Sequence, residues 1–209
     1  MKKSISVLAA AMLLSCTFVS CGSKDDDEKE SIIGVWSAGE DFAKELSEEW
    51  EAPAENITIE FTSDNKMLLN ADMDFSEMVT VGEDTVVWNG NSVPFTYDGS
   101  VLTIAGKIEF ERIGEADESS VYGKYNSSDF AEYMGLTDDE GSAVFNFKSA
   151  DSTVLTFIRN GTYEYDEKEG TLSTSLDDEG DEPTKVEIDG DTLTMTDSDG
   201  EKGTFTRVK

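Results

Sequence analysis

Apolar and polar residues alternate with period two through most of the chain beyond residue 55. Ile57, Ile59 and Phe61 share one face, with Thr58 and Glu60 on the other. Val93, Phe95 and Tyr97 repeat the pattern, as do Phe145 with Phe147, Tyr163 with Tyr165, and Val186 with Ile188. This alternation predicts antiparallel strands with one buried and one wet face. Between the runs stand Asn89-Gly90, Asp98-Gly99, Asn160-Gly161, Asp189-Gly190 and Asp199-Gly200, dipeptides that supply the positive φ of tight hairpins. The expected class is all-β, an up-and-down meander. Two segments break the period. Phe42, Leu46 and Trp50 recur every four residues, and Phe130, Tyr133 and Met134 form a similar stripe, with Asp129 and Glu132 at capping-box spacing. Each predicts a short helix that covers one barrel end.

The pattern is written twice, with a period close to 90 residues. Ile33-Gly34-Val35-Trp36 is echoed by Tyr122-Gly123-Lys124-Tyr125, and Asp41-Phe42-Ala43 by Asp129-Phe130-Ala131. Tyr97-Asp98-Gly99-Ser100-Val101-Leu102-Thr103-Ile104 matches Ile188-Asp189-Gly190-Asp191-Thr192-Leu193-Thr194-Met195, and Phe110-Glu111-Arg112-Ile113 matches Phe205-Thr206-Arg207-Val208. Four blocks in one order predict a tandem repeat. The expected boundaries are a first unit over 31–113, a linker over 114–120 and a second unit over 121–209, each a small antiparallel barrel with one helix near its start. The inward set of the first unit (Trp36, Ile59, Phe61, Trp88, Phe95, Tyr97, Leu102, Ile104, Ile108 and Phe110) is bulky, and an eight-strand barrel is just wide enough for its own side chains.

Composition narrows the chemistry. The formal net charge is −30, the chain holds no histidine, and its two cysteines, Cys16 and Cys21, both lie near the start. Such acidity repels a phosphate backbone, so nucleic acid is excluded as a partner. Ser-His-Asp and Cys-His catalysis, His/Cys zinc sites and structural disulfides all lack their residues. A metal would have to be a hard cation held by oxygen. Asp197-Ser198-Asp199-Gly200 opens like a calcium loop, but the distal glutamate spacing is missing and the segment reads as a hairpin. Carboxylates are so abundant that a glycosidase-like pair carries no weight. The expectation is a non-enzyme with no cofactor, no catalytic residue and no metal ligand.

The first thirty residues predict location. Lys2 and Lys3 precede a short apolar run from Ile5 to Val19, then Ser20-Cys21 and the hydrophilic Gly22-Ser23-Lys24-Asp25-Asp26-Asp27-Glu28. The order resembles a bacterial lipoprotein leader, which implies removal of residues 1–20, acylation of Cys21 and a tether over 21–30. Cys16 also follows a lipobox-like stretch, but cutting there would strand Thr17-Phe18-Val19 beside the lipid. An ordinary secretory leader is the competing reading. The run is shorter than the roughly 20 residues of a spanning helix. Acids close behind Cys21 resemble the export signal of Bacteroidota-type surface lipoproteins, which implies the outer face of the outer membrane. Asp84-Thr85, Asp151-Ser152 and Asp191-Thr192, each before an apolar or β-branched residue, resemble the O-glycosylation sequon of the same group, marking Thr85, Ser152 and Thr192. Chance occurrence is the alternative there.

Gly34-x-Trp36 ahead of an antiparallel meander resembles the lipocalin-like (calycin-type) domains of bacterial lipoproteins. In that family the tryptophan plugs one barrel end and a late arginine packs across it. The resemblance implies barrel closure by Trp36 with Arg112 in the first unit and Tyr125 with Arg207 in the second, each arginine stacking within its own unit. Snorkelling of both arginines to solvent is the alternative. The implied role is a membrane-anchored, non-catalytic binding protein for a small apolar or amphipathic ligand. The alternative is a rigid module with filled barrels that meets a surface protein or glycan.

Overall fold

The computed structural model describes residues 31–137, 140–176 and 182–209; the leader, the acidic tether and Cys21 lie outside the described residues. The chain is mostly β, with an eight-strand antiparallel closed barrel plus extra strands. In order come β1 (Gly34–Ala38), α1 (Glu40–Trp50), β2 (Ala54–Phe61), β3 (Lys66–Asp74), β4 (Val79–Val81), β5 (Thr85–Trp88), β6 (Asn91–Tyr97), β7 (Val101–Ile104) and β8 (Ile108–Arg112). The second half holds β9 (Gly123–Asn126), α2 (Ser128–Tyr133), β10 (Gly141–Ser149), β11 (Ser152–Asp166), β12 (Thr171–Thr174), β13 (Thr184–Asp189), β14 (Thr192–Thr196) and β15 (Lys202–Arg207).

Two compact units result, and neither is one stretch of chain. Among the described residues, the first takes 31–42, Thr58–Leu68 and Gly161–Lys209; the second takes Ala43–Ile57 and Leu69–Asn160. The consecutive boundaries expected at 31–113 and 121–209 therefore differ from the observed groupings. The physical reason is strand length: β2, β3 and β11 each continue from one unit into the other.

In the first unit the strands close in the order β11, β12, β13, β14, β15, β1, β2, β3 and back to β11. Its interior side chains are Trp36, Ile59, Phe61, Met67, Tyr163, Leu172, Val186, Leu193 and Phe205, all buried. They lie at alternate positions, as strand pleating requires. The Phe61 and Tyr163 rings meet edge to face with centroids 5.0 Å apart, and the Tyr163 hydroxyl donates to Thr62 O at 2.7 Å.

The second unit runs β4-β5-β6-β7-β8-β9-β10-β11, with β3 beyond β11. Isolated hydrogen bonds connect β4 to the far end of this run: Val81 N donates to Ala150 O at 2.9 Å and Thr153 Oγ1 to Val79 O at 3.1 Å. Its core is aromatic. Phe145 touches Phe110 at 5.2 Å and Phe130 at 4.9 Å, both edge to face, geometries favoured by ring quadrupoles.

Both expected helices form, with one change of cap. α2 is capped by Ser127, whose hydroxyl accepts from Phe130 N at 3.2 Å and donates to Glu109 O at 2.8 Å. Asp129 instead accepts from Glu109 N at 2.8 Å, replacing the expected Asp129/Glu132 box. Asn89-Gly90 makes the anticipated hairpin, with φ of 47° and 76°. Asn160-Gly161 does not turn; it lies inside the fifteen-residue β11, and the reversal comes after Asp166, where Gly170 N returns to Asp166 O at 2.8 Å. Ile108, expected inside, is 40% exposed.

Candidate functional site

The residues singled out for barrel closure converge in both units. In the first, β1 lies between β15 and β2, with Trp36 opposite Arg207 on one side and Ile59 on the other. Trp36 is fully buried, and its Nε1 donates to Ile32 O at 2.7 Å. The Arg207 guanidinium lies 4.0 Å from the Trp36 ring centroid. Its Nη1 donates to Ile33 O at 2.9 Å and its Nη2 to Ser31 O at 2.6 Å. Stacking satisfies the face of the cation and the carbonyls satisfy its edge, so a charge on an inward strand position is tolerated.

Gly34 makes this approach feasible. A Cβ at that position would stand 2.6 Å from Arg207 Nη1, and the backbone φ of +140° already disfavours a side chain. The Gly-x-aromatic spacing thus has a local cause: the glycine opens the space into which the arginine lies, and the aromatic two residues on shares its face of the strand.

The second unit repeats the arrangement. Tyr125 stands opposite Arg112 and Phe145, and its hydroxyl donates to Val121 O at 2.7 Å. The Arg112 guanidinium lies 5.6 Å from the Tyr125 ring centroid. Its Nη1 donates to Ser120 O at 3.0 Å and Nη2 to Tyr122 O at 2.9 Å. Gly123 supplies the space, since a Cβ there would meet Arg112 Nη2 at 2.9 Å. Carbonyl for carbonyl, Ser31, Ile32 and Ile33 correspond to Ser120, Val121 and Tyr122.

This seal also contains polar groups that the first lacks. Arg112 Nη1 donates to Tyr97 Oη at 2.7 Å and to Tyr125 Oη at 3.0 Å, and Tyr97 Oη is within hydrogen-bond distance of the carbonyls of Gly99 and Asp117. Burial alone would pull the Arg112 guanidinium down, but the fields and hydrogen bonds of Tyr125 and Tyr97 outweigh it and hold the group above its ordinary value. Burial pushes the Tyr125 hydroxyl well up, with Tyr97 adding to the effect and Arg112 opposing it. Asp117 lies 3.9 Å from Arg112 Nη2; the Ser119 hydrogen bonds chiefly, and Arg112 in part, hold its carboxyl low.

The expected partnerships are corrected. Arg207, not Arg112, lies on Trp36, and Arg112, not Arg207, lies on Tyr125. β1 pairs with β15 and β8 with β9, so each arginine strand borders the aromatic strand of the other repeat. The four residues were legible in the sequence, whereas Tyr97 as a seal member and the linker's contribution were not. The signal lay in aligning Ser31-Ile32-Ile33-Gly34 with Ser120-Val121-Tyr122-Gly123.

The remaining marked positions lie elsewhere. Thr85, Ser152 and Thr192 each begin a strand directly after a turn, and Thr192 is exposed. Asp197 heads the β14–β15 hairpin, where its Oδ1 accepts from Glu201 N at 2.8 Å. Among the described residues no three acidic side chains gather at metal-binding spacing. No described helix is long and apolar enough to cross a membrane. The chain matches no protein-family model, no curated protein and no solved structure.

Proposed function

We propose that this protein is a lipid-anchored surface lipoprotein of lipocalin-like build, whose barrels serve as rigid, non-catalytic modules presenting loops to a protein or glycan partner. The anchoring rests on the order of charge, apolar run, Ser20-Cys21 and acidic tether at the start of the chain. The acids behind Cys21 support the outer face of the outer membrane, and the two Gly-x-aromatic motifs with their arginines support the lipocalin-like kinship. The preference for a loop-presenting module over an internal ligand is carried by one observation. The inward positions of both units are bulky and buried, with Trp36, Phe61, Phe110, Phe145, Phe147 and Phe205 all below 2% exposure and the Phe110, Phe145 and Phe147 rings in mutual contact. Native interiors pack near crystal density, and a ligand would need those rings displaced.

Two measurements test the reading. Cys21→Ala should move the protein from the detergent phase to the aqueous phase of a cloud-point extraction; partitioning unchanged from the parent would remove the anchor. Crosslinking on intact cells should recover a reproducible protein or glycan neighbour. A small apolar molecule co-purifying in native mass spectrometry would instead favour ligand carriage.

A further inference from the structure

Each repeat carries everything one seal needs: an aromatic on its first strand and an arginine on its last. Repeat one holds Trp36 and Arg112, and repeat two holds Tyr125 and Arg207. Yet in both units the aromatic strand and the arginine strand come from different repeats. The first unit joins β1, the end of β2 and the start of β3 to β12–β15 and the end of β11. The second joins β4–β8, with most of α1, the start of β2 and the end of β3, to β9, α2, β10 and the start of β11. The registers agree between them: Gly34 faces Phe61 while Gly123 faces Phe147, and Leu102 faces Phe110 while Leu193 faces Phe205.

From this pairing we infer that the protein folds by exchange of halves between its two repeats. The edge that each leading half offers is a docking surface for the trailing half of the other repeat. The 114–120 segment is then a strap, not a boundary between independent domains. Its own contacts agree with that role. Asp117 N donates to Gly99 O at 2.9 Å, the Asp117 carbonyl meets the Tyr97 hydroxyl, and Gly99, at φ +95°, leaves room for Glu118.

The test is made on the full chain. A protease recognition sequence inserted between the exposed Glu115 and Ala116 permits cleavage of the folded protein. The nicked protein should elute and weigh as one body, its two pieces parting only in denaturant. Separation under native conditions into two folded pieces would overturn the inference. A second measurement covers loss of folding on insertion and association of intact neighbours. Ser37 lies opposite Thr206, and in an unexchanged repeat Glu111 would take the place of Thr206. Antiparallel partners stand within disulfide range. Peptide mapping of an oxidised Ser37→Cys, Thr206→Cys, Glu111→Cys chain should find the 37–206 link in about tenfold or greater excess over 37–111. A dominant 37–111 link would overturn the inference.

Discussion

Removing the Arg207 guanidinium tests how much a sealed barrel end contributes. In Arg207→Ala the Trp36 face loses its cation, a contact worth about 0.5–2 kcal/mol depending on desolvation. The Ile33 and Ser31 carbonyls lose charged donors at 2.9 and 2.6 Å; bonds to charged groups contribute about 1.5–3 kcal/mol each. Both carbonyls can turn to water at this exposed rim, so each loss falls below that range and together they are set at about 1–2 kcal/mol. The expected destabilisation is about 1.5–4 kcal/mol, against about ±0.5 kcal/mol for an ordinary surface change. Arg207→Lys keeps the charge but not the planar fork, and should recover less than half of the loss. Gly34→Ala should cost about 1–3 kcal/mol through backbone strain, plus displacement of Nη1, which a Cβ would meet at 2.6 Å. The two changes should be less than additive, because Arg207→Ala vacates the space into which the new methyl points. The assay is urea unfolding followed by indole fluorescence, with the midpoint read at constant slope. An Arg207→Ala cost below about 0.5 kcal/mol, the surface range, would refute the seal.

Tyr97→Phe removes the hydroxyl that bonds Arg112 and reaches the Gly99 and Asp117 carbonyls. It should cost about 1–3 kcal/mol and speed hydrogen exchange at Asp117 N, while the corresponding first-unit position, Ile188, shows no such dependence. Alkaline stability should reflect the raised Tyr125 hydroxyl. Above pH 10 the unfolded phenol loses its proton and the folded one keeps it, so the unfolded state binds fewer protons. Stability then falls as pH rises through that range, and Tyr125→Phe should flatten the slope in melts between pH 9 and about 11. Acid acts through Asp98, Asp117 and Asp166. Hydrogen bonds, chiefly from Val101 N, the Ser119 hydroxyl and Lys168 N respectively, hold these carboxyls low. Their contribution is present near neutrality and is lost as pH falls below about 4, which melts at descending pH will show.

Period-two alternation revealed the strands because pleating puts one face of each strand in the core, and Ile57, Ile59 and Phe61 are buried as read. The turn at Asn160-Gly161 misled because Asn-Gly fits a tight hairpin locally, whereas here the chain crosses between units within one strand. Who partners whom was illegible for a deeper reason. Both repeats carry an arginine and an aromatic, so pattern matching cannot assign the pairs. Chain connectivity bears on the choice. The observed arrangement closes Arg112 on Tyr125, 13 residues away, and Arg207 near Ile33, 174 residues away. The within-repeat alternative closes two loops of roughly 80 residues, which costs about 1 kcal/mol more in summed closure entropy. One short loop outweighs the longer one because the cost grows only logarithmically. The roles of Gly34 and Gly123 were likewise hidden until the arginine lying over each was seen.

The most direct measurement of the central claim is a side-chain nuclear Overhauser spectrum of the folded protein. Cross-peaks should join the Arg207 δ and ε protons to the Trp36 indole, with the δ protons shifted upfield by the ring 4.0 Å from their guanidinium, and should join Arg112 to Tyr125. Cross-peaks from Arg112 to Trp36 and from Arg207 to Tyr125, or random-coil shifts for both arginines, would contradict it.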